Sequence, residues 1–530
     1  DDKAEIKDDK KDEKKKTDLI VKVDADGLKD RIVGLPIDAA DYRNLNSVGD
    51  KFYYIKRGSK DESSSLKMYE LDKLKETDLG NIDGYEISAN NKKMLVSKDK
   101  QYAIIDLPTA KLELKDFLKV NGMEMKLDKH AEWEQIFNEC WRQMRDFFYA
   151  PNMHGVDWES LKKNYEQLVP FVNHRADLTY IIGEMIGELS AGHTYVGGGD
   201  LPNPKRIQTG MLGVQLVKDA NSKYFKITKI LKGQNWDKSV RSPLTEIGAN
   251  ANEGDYIISV NGKPTNEMVD IYESLVNTVG KQVKLKLNSQ PKTDGSREVT
   301  VLPIADEASL YYYTWVQNNI EKVDKATNGK VGYIHVPDMS VKGLNEFVKY
   351  FYPQLRKKAL IIDVRGNGGG NVSSMIIERL RREIDMFTFA RNTTPTPDPS
   401  AMIWGPKVCL LDEFSASDGD IFPYRFKKYN LGKLIGKRSW GGVVGIRGTL
   451  PLLDGGVLNK PEFSRYDSEG KGWIIEGTGV EPDIYVDNDP AKEYEGIDEQ
   501  LNKGIEEILN ELKTQEKNIL PIPPYPDKRK

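Results

Sequence analysis

Ser417 stands in Phe414-Ser415-Ala416-Ser417-Asp418-Gly419-Asp420, after the apolar run Lys407-Val408-Cys409-Leu410-Leu411 and before Ile421-Phe422-Pro423-Tyr424-Arg425-Phe426. A buried-type strand, a small-residue turn and a helix in that order expose a hydroxyl beside the free amides of a helix N-terminus. Such amides can hold an oxyanion, so the segment has parts of a covalent acyl-transfer site. The competing reading is an ordinary N-cap serine, its hydroxyl spent on the helix itself. A hydroxyl attacks only when a base takes its proton. The chain has five histidines. His193 ends the helical apolar pattern Leu178, Ile181, Ile182, Met185, Ile186, Leu189 and leads into Gly197-Gly198-Gly199. His335 lies in the strand-like Val331-Gly332-Tyr333-Ile334-His335-Val336, where a packed ring is expected. His130 and His154 sit among polar or turn residues, and His174 has no special context. His193 is the candidate base.

A second glycine cluster follows the strand-like Leu360-Ile361-Ile362: Asp363-Val364-Arg365-Gly366-Asn367-Gly368-Gly369-Gly370. Glycines there let backbone amides approach a substrate. A phosphate-binding loop is disfavoured, because no Gly-Lys-Ser/Thr follows. Asp363 and Arg365 could equally pair to hold the turn.

Together with Trp440-Gly441-Gly442-Val443-Val444-Gly445 and Glu476-Gly477-Thr478-Gly479-Val480-Glu481-Pro482-Asp483, these segments resemble the tricorn-type serine peptidases, relatives of the C-terminal processing peptidases. The resemblance covers roughly residues 120 to 490, in the family's order. It implies Ser417 as nucleophile, His193 as general base and Glu476 as the acid that orients the histidine. It implies the Asp418 amide as one oxyanion donor and an amide among Gly368, Gly369 and Gly370 as the other. Processing peptidases use a lysine, but the matching position here is Gly442, and Lys437 lies on the wrong side of the glycines. A Ser–His mechanism is therefore preferred. The family's relay serine immediately before the histidine is Gly192 here, so the link from Glu476 would run through a water, Ser190 or Thr194. Asp385 lies near the stretch from which relatives supply an acid for basic side chains, and reads equally as a solvated helix-end charge.

Between His193 and the glycine loop, Thr209 to about 305 reads as a module of short strands with an Asn261-Gly262 hairpin signal, a helix over Val269–Val279 and an alternating strand at Val283–Leu287. It resembles a PDZ domain, which implies peptide binding at Met211, Leu212 and Gly213, with a positional insert as the alternative.

The architecture expected is multidomain α/β and β: a crotonase- or Clp-like α/β peptidase core with an inserted PDZ-like domain, a small helical domain and an N-terminal propeller-like segment. The boundaries read as a disordered charged linker over 1–16, β-rich segment 17–118, helical domain 119–206, PDZ-like domain 207–305, peptidase core 306–495, and a C-terminal helix with a Pro-rich tail over 496–530. Strands are expected at Leu19–Val23, Lys51–Ile55, Leu66–Leu71, Lys93–Val96 and Tyr102–Asp106, enough for about two four-stranded blades. Two blades close no ring, so the chain reads as a piece of a longer one.

Composition bounds the function. Net charge is −4 over 530 residues, which points away from nucleic acid, and no apolar run approaches the ~20 residues of a membrane helix. Cys140 and Cys409 sit in apolar patterns and read as buried thiols. Catalysis is expected without metal or organic cofactor, on peptides or unfolded proteins, with a homo-oligomer implied by the family. A cytoplasmic setting is expected, or a periplasmic one if an export signal has been removed. The alternatives are a PDZ scaffold with an impaired peptidase site and a non-peptidase acyl hydrolase.

Overall fold

The computed structural model describes residues 24–120, 122–515 and 517–529. The charged segment 1–16 and the strand expected at Leu19–Val23 lie outside them. The chain forms two compact units, divided after Lys126.

In the first unit, β1 (Asp41–Val48), β2 (Lys51–Arg57), β3 (Ser65–Glu70) and β4 (Lys75–Asn81) form an antiparallel meander. A second sheet has three strands, β5 (Gly84–Ile87), β6 (Lys93–Lys98) and β7 (Gln101–Asp106), where four were expected. Tyr53, Ile55, Leu66, Met68 and Leu79 of the first sheet share one core with Tyr85, Met94 and Val96 of the second.

The second unit opens with three helices. α1 (Lys129–Phe147) starts at Asp128, whose carboxylate accepts from the His130 and Ala131 amides at 3.0 and 3.3 Å. It buries Trp133, Ile136, Phe137, Cys140, Trp141 and Met144 at helical spacing. α2 (Trp158–Glu166) is capped by Asp157, whose carboxylate accepts from the Ser160 amide at 3.0 Å. α3 (Arg175–Gly187) is capped by His174, which gives that histidine a structural task. The chain then passes His193 into the short strand β8 (Tyr195–Gly197).

The next module is an antiparallel sheet of β9 (Val214–Lys218), β10 (Phe225–Ile230), β11 (Tyr256–Val260), β12 (Lys263–Pro264), β13 (Val283–Asn288) and β14 (Arg297–Val301), with β9 at one edge. Asn261 and Gly262 turn the β11–β12 hairpin with φ of 49° and 85°, the left-handed pair that such a turn needs. The helix expected over Val269–Val279 is only a 3₁₀ turn, Ile271–Leu275. Val269, Ile271, Val276 and Thr278 are β-branched, which disfavours an α-helix, and Asn277 at φ 58° ends the turn.

The core follows as α4 (Ala308–Ala326), β15 (Val331–His335), α5 (Val341–Phe351), β16 (Ala359–Asp363), α6 (Ser373–Leu380), the hairpin β17 (Met386–Thr388) and β18 (Thr396–Asp398), β19 (Lys407–Leu411), α7 (Asp418–Lys428), β20 (Gly432–Gly436), β21 (Val457–Asn459), β22 (Ile484–Tyr485), α8 (Pro490–Tyr494) and α9 (Glu499–Gln515). β15, β16, β19, β20 and β22 lie side by side, all parallel. Alternation splits their side chains. Ile334, Leu360, Ile362, Cys409, Leu411 and Leu434 pack with Phe347, Phe351, Ile376, Phe422 and Phe426 of α5, α6 and α7. Val331, Tyr333, Ile361, Val408, Leu410 and Ile435 pack with Val323 of α4 and Leu501, Ile505 and Ile508 of α9. Covered on both faces, the strands are near-continuous apolar runs. Function then falls to the loops at their carboxyl ends.

β21 pairs with β8 and so joins the helical layer to the core. Beside it Arg175 of α3 donates to Asp454 at 2.6 Å, with side chains only 1% and 2% exposed. Removing one partner strands the other as a buried charge, which costs about 3–5 kcal/mol. Asp454→Ala is therefore expected to lower stability by about 3 kcal/mol or more, as a fall in Tm by calorimetry. A Tm equal to wild type would show that the pair does not hold this layer.

Candidate active site

Ser417 sits where β19 turns into α7, at φ 58° and ψ −121°. A non-glycine residue is strained there, by of order 1–3 kcal/mol, and such strain is kept where surroundings enforce it. The residue occupies the N-cap position, yet its side chain makes no cap hydrogen bond. The hydroxyl is not spent on the helix.

The glycine loop after β16 presses against this turn. A side chain at Gly369 (φ 91°) would place Cβ 2.5 Å from Ser417 Cβ and 2.9 Å from the Asp418 nitrogen. Only glycine fits. Asn367 holds the two loops together: its carbonyl accepts from the Ala416 amide at 2.8 Å, its Oδ1 accepts from the Gly369 amide at 2.9 Å, and its Nδ2 donates to the Val336 carbonyl at 2.8 Å. The Gly369 amide is thereby engaged, which distinguishes it from Gly368 and Gly370. Asp412, at the end of β19, accepts from the Gly366 amide at 2.9 Å and the Phe414 amide at 3.1 Å. Asp418 is buried, and its carboxylate accepts from the Ser373 amide at 2.8 Å and the Ser373 hydroxyl at 2.5 Å, tying α7 to α6. Asp363 and Arg365 do pair, at 2.6 Å, and Arg365 also reaches Asp498 at 2.9 Å, so they brace the turn below the loop.

His193 also has a left-handed backbone, φ 61°. Its Nδ1 is buried and has no hydrogen-bond partner. Three other histidines are committed: His154 contacts the Leu189 carbonyl and the Tyr149 hydroxyl, His174 caps α3, and His335 contacts the Arg365 carbonyl and the Tyr312 hydroxyl. His130 lies exposed on the first turn of α1.

Glu476 joins the parts. Its Oε1 accepts from the Gly192 amide at 2.8 Å, and its Oε2 accepts from the Val443 and Val444 amides at 2.6 and 3.0 Å. The carboxylate is thus linked to the histidine loop through the backbone next to His193. Thr194 donates instead to the Ala191 carbonyl, and Ser190 is exposed. The strap 439–444 spans both halves of the site. The Trp440 ring lies 5.8 Å from the His193 ring, the Trp440 amide donates to the Ser415 carbonyl at 3.0 Å, and the Gly441 amide donates to Asp420 at 2.7 Å. Lys437 is paired with Glu413 at 2.6 Å and Asp487 at 3.2 Å, and these hydrogen bonds hold it charged, so it is no base.

Arg465 is a residue that sequence reasoning missed. It donates to the Val443 carbonyl at 2.9 Å and lies half-buried, a cation in the field of both His193 and Asp418. No motif marks it; only the fold brings it here. Asp385 lies exposed beside the β17–β18 hairpin. Met211, Leu212 and Gly213 belong to the separate module, where Glu307 already meets the Gly213 amide. Among the described residues, no cluster of three or more His, Cys, Asp or Glu side chains could hold a metal ion.

Three family models match in the order of these parts: the tricorn protease C1 domain over residues 129–187, the tricorn protease PDZ domain over 210–306 and peptidase family S41 over 330–486. The chain belongs to the tricorn protease family. It is 33% identical to a tricorn protease homolog of Saccharolobus solfataricus, over 92% of this chain and 46% of that one. It is 32% identical to the tricorn protease of Thermoplasma volcanium, over 90% of this chain and 47% of the relative. The crystal structure of the tricorn protease matches with TM-score 0.82 and 29% identity, over 90% of this chain and 47% of that one. The chain thus spans about half the length of these curated relatives. The multidomain α/β and β architecture expected from the sequence agrees with that match.

Burial disfavours the His193 imidazolium and lowers its pKa from the ordinary 6.5; Glu476 opposes this and Arg465 adds to it. A base must be neutral to accept a proton, so a lowered pKa keeps it available at lower pH. The acid limb of the rate of fluorophosphonate labelling should inflect below pH 6.5. An inflection above that value would mean that a carboxylate dominates the ring's environment.

Proposed function

We propose that this chain is the catalytic part of a serine endopeptidase that hydrolyses peptides or oligopeptides through an acyl-enzyme on Ser417. The observation that carries the reading is the strained Ser417, its hydroxyl unspent on the helix, with a glycine loop against it. Ser417 Oγ attacks the scissile carbonyl while His193 takes its proton. The C–N bond then breaks and His193 returns the proton to the leaving amine. A water repeats the attack, with His193 again as base, and frees the serine. The Asp418 amide and an amide of Gly368 or Gly370 hold the oxyanion. Gly369 is the member of that loop packed against Ser417, and it shapes the site. Glu476 stabilises the imidazolium as the acid of a Ser–His–Glu relay.

The reading needs no cofactor. Its substrates are peptides and unfolded proteins, and a homo-oligomer follows from the family. The β-rich first unit is read as propeller blades and the core as crotonase-like. Two buried free thiols agree with a cytoplasmic setting. The scaffold reading is disfavoured, because a module kept only for binding gains nothing from a strained serine.

A fluorophosphonate probe with mass-spectrometric mapping tests the assignment. Wild type should be labelled on Ser417. Ser417→Ala should abolish labelling, and His193→Ala should slow it by about 10³-fold or more. Labelling elsewhere, or labelling indifferent to His193, would sink the mechanism.

Gly192 offers a finer test of the relay. A Cβ there would lie 3.2 Å from Glu476 Oε1 and 3.0 Å from Gly442 Cα. A serine would put a hydroxyl between the carboxylate and the histidine, at the cost of slight crowding. Gly192→Ser is expected to raise the labelling rate by up to about tenfold, the worth of one good hydrogen bond. Gly192→Ala, equally crowded but without the hydroxyl, should lower it. Equal rates for the two variants would mean that this gap plays no part in the relay.

A further inference from the structure

The module of β9 to β14 carries a carboxylate in an unexpected place. Gly213 turns the chain into the edge strand β9 with φ 75°. The amides of Gly213 and Val214 both point to one acceptor, Oε1 of Glu307, at 2.6 and 3.3 Å. Consecutive amides converging on one oxygen make a small anion-binding nest. A peptide docking along a sheet edge with its terminal carboxylate in such a nest is a general mode of recognition.

Glu307 does not belong to the module's sheet. It occupies the N-cap position of α4, the helix that leads into the core. Its side chain makes no cap bond to its own helix, and Asp306 accepts from the Ala308 amide instead, at 3.1 Å. The carboxylate is therefore directed to the module and away from the task its position would normally give it. Its surroundings complete the likeness to a bound chain end. Leu310, one turn further along α4, is fully buried, and a Cβ at Gly213 would lie 3.3 Å from its Cδ1. An anion in the nest and an apolar side chain beside it is how a peptide end would be held. The stretch before α4 also pairs with the module: Met211 and Ile304 exchange amide-to-carbonyl bonds at 2.8 and 3.0 Å. Burial raises the Glu307 pKa against the pull of the two amides, so the carboxyl is partly removed from water.

We propose that Glu307 is an internal ligand of this module: it closes an amide pocket that would otherwise take the C-terminal carboxylate of a peptide, and its removal opens that pocket. In the wild type the module is then a fixed support for α4, and free peptide ends are excluded from it. The inference is independent of the role of Ser417.

The test uses the full chain and fluorescein-labelled hexapeptides ending in Leu, Val or Phe, each as the free acid and as the C-terminal amide. Glu307→Ser removes the carboxylate and leaves a good N-cap for α4. By fluorescence anisotropy the variant should bind the free acids at least about tenfold tighter than wild type does, a gain expected for charge-assisted bonds to two amides. The amidated peptides should show no gain. Equal binding of the free acids by wild type and variant, or no binding by either, would overturn the proposal. Hydrogen exchange of the wild type guards against a variant that fails to fold. The Gly213 and Val214 amides should exchange as slowly as those of the β10–β11 ladder, and fast exchange at both would overturn the proposal as well.

Discussion

The candidate site depends on one carboxylate. Glu476 accepts amides from two segments that share no secondary structure, Gly192 in the loop after α3 and Val443 with Val444 in the strap after β20. Hydrogen bonds to a charged acceptor contribute about 1.5–3 kcal/mol each, more than neutral ones. They act beside the three-residue pairing of β8 with β21, the Arg175–Asp454 pair and the packing of Leu452 and Leu458 against the helices, which also hold the histidine loop to the core. Glu476 therefore does two things with one group. It sets where His193 stands relative to the α/β core, and it places a negative charge where an imidazolium would form.

Strain gathers around the same point. Ser417, His193 and Ile475, the neighbour of Glu476, all have positive φ, at 58°, 61° and 44°. An isoleucine in that region is a clear outlier, since its branched Cβ crowds the backbone. Three strained residues in one site mean that packing elsewhere over-determines their positions. That packing is visible: Gly369 lies against Ser417, Asn367 bonds both loops, and the central sheet is buried on both faces.

Much of this was legible in the sequence because it is local. A strand, a small-residue turn and a helix are contiguous around Ser417, and the glycine loop is contiguous with β16. The stripe Trp133, Ile136, Phe137, Cys140, Trp141, Met144 announces α1 by spacing alone. Misreadings came where tertiary context overrides pattern. Val269–Val279 has buried residues at helical spacing, Ile271 and Leu275, but too many β-branched neighbours to stay helical. β1 and β4 were missed because polar residues such as Arg43, Asn44, Asn46, Glu76 and Asp78 interrupt their alternation, and β5 because its four residues are too few to show a period. Arg465 and Glu307 carry no local signal, since what matters about each is a partner far away in the chain.

The residues that escaped the sequence reading share a physical reason with the one that organises the site. Apolar alternation decides which face of a strand or helix is buried, but it says nothing about the path of a glycine-rich loop, which has no side chains to pack. In this chain acids supply the missing specification. Asp412 gathers the Gly366 and Phe414 amides, Glu476 those of Gly192, Val443 and Val444, and Glu307 those of Gly213 and Val214. Each pins a loop that hydrophobic burial cannot position, and Glu476 and Glu307 also take buried backbone donors, those of Val443, Val444, Gly213 and Val214, that would otherwise lie unsatisfied. Asp412 and Glu307 do so where burial raises their pKa, so the amides must offset a real desolvation cost. An acid chosen for this task is set by loop geometry and not by helical or strand periodicity. That is why the layers can be read from spacing, while the amides that each of these acids gathers emerge only from the fold.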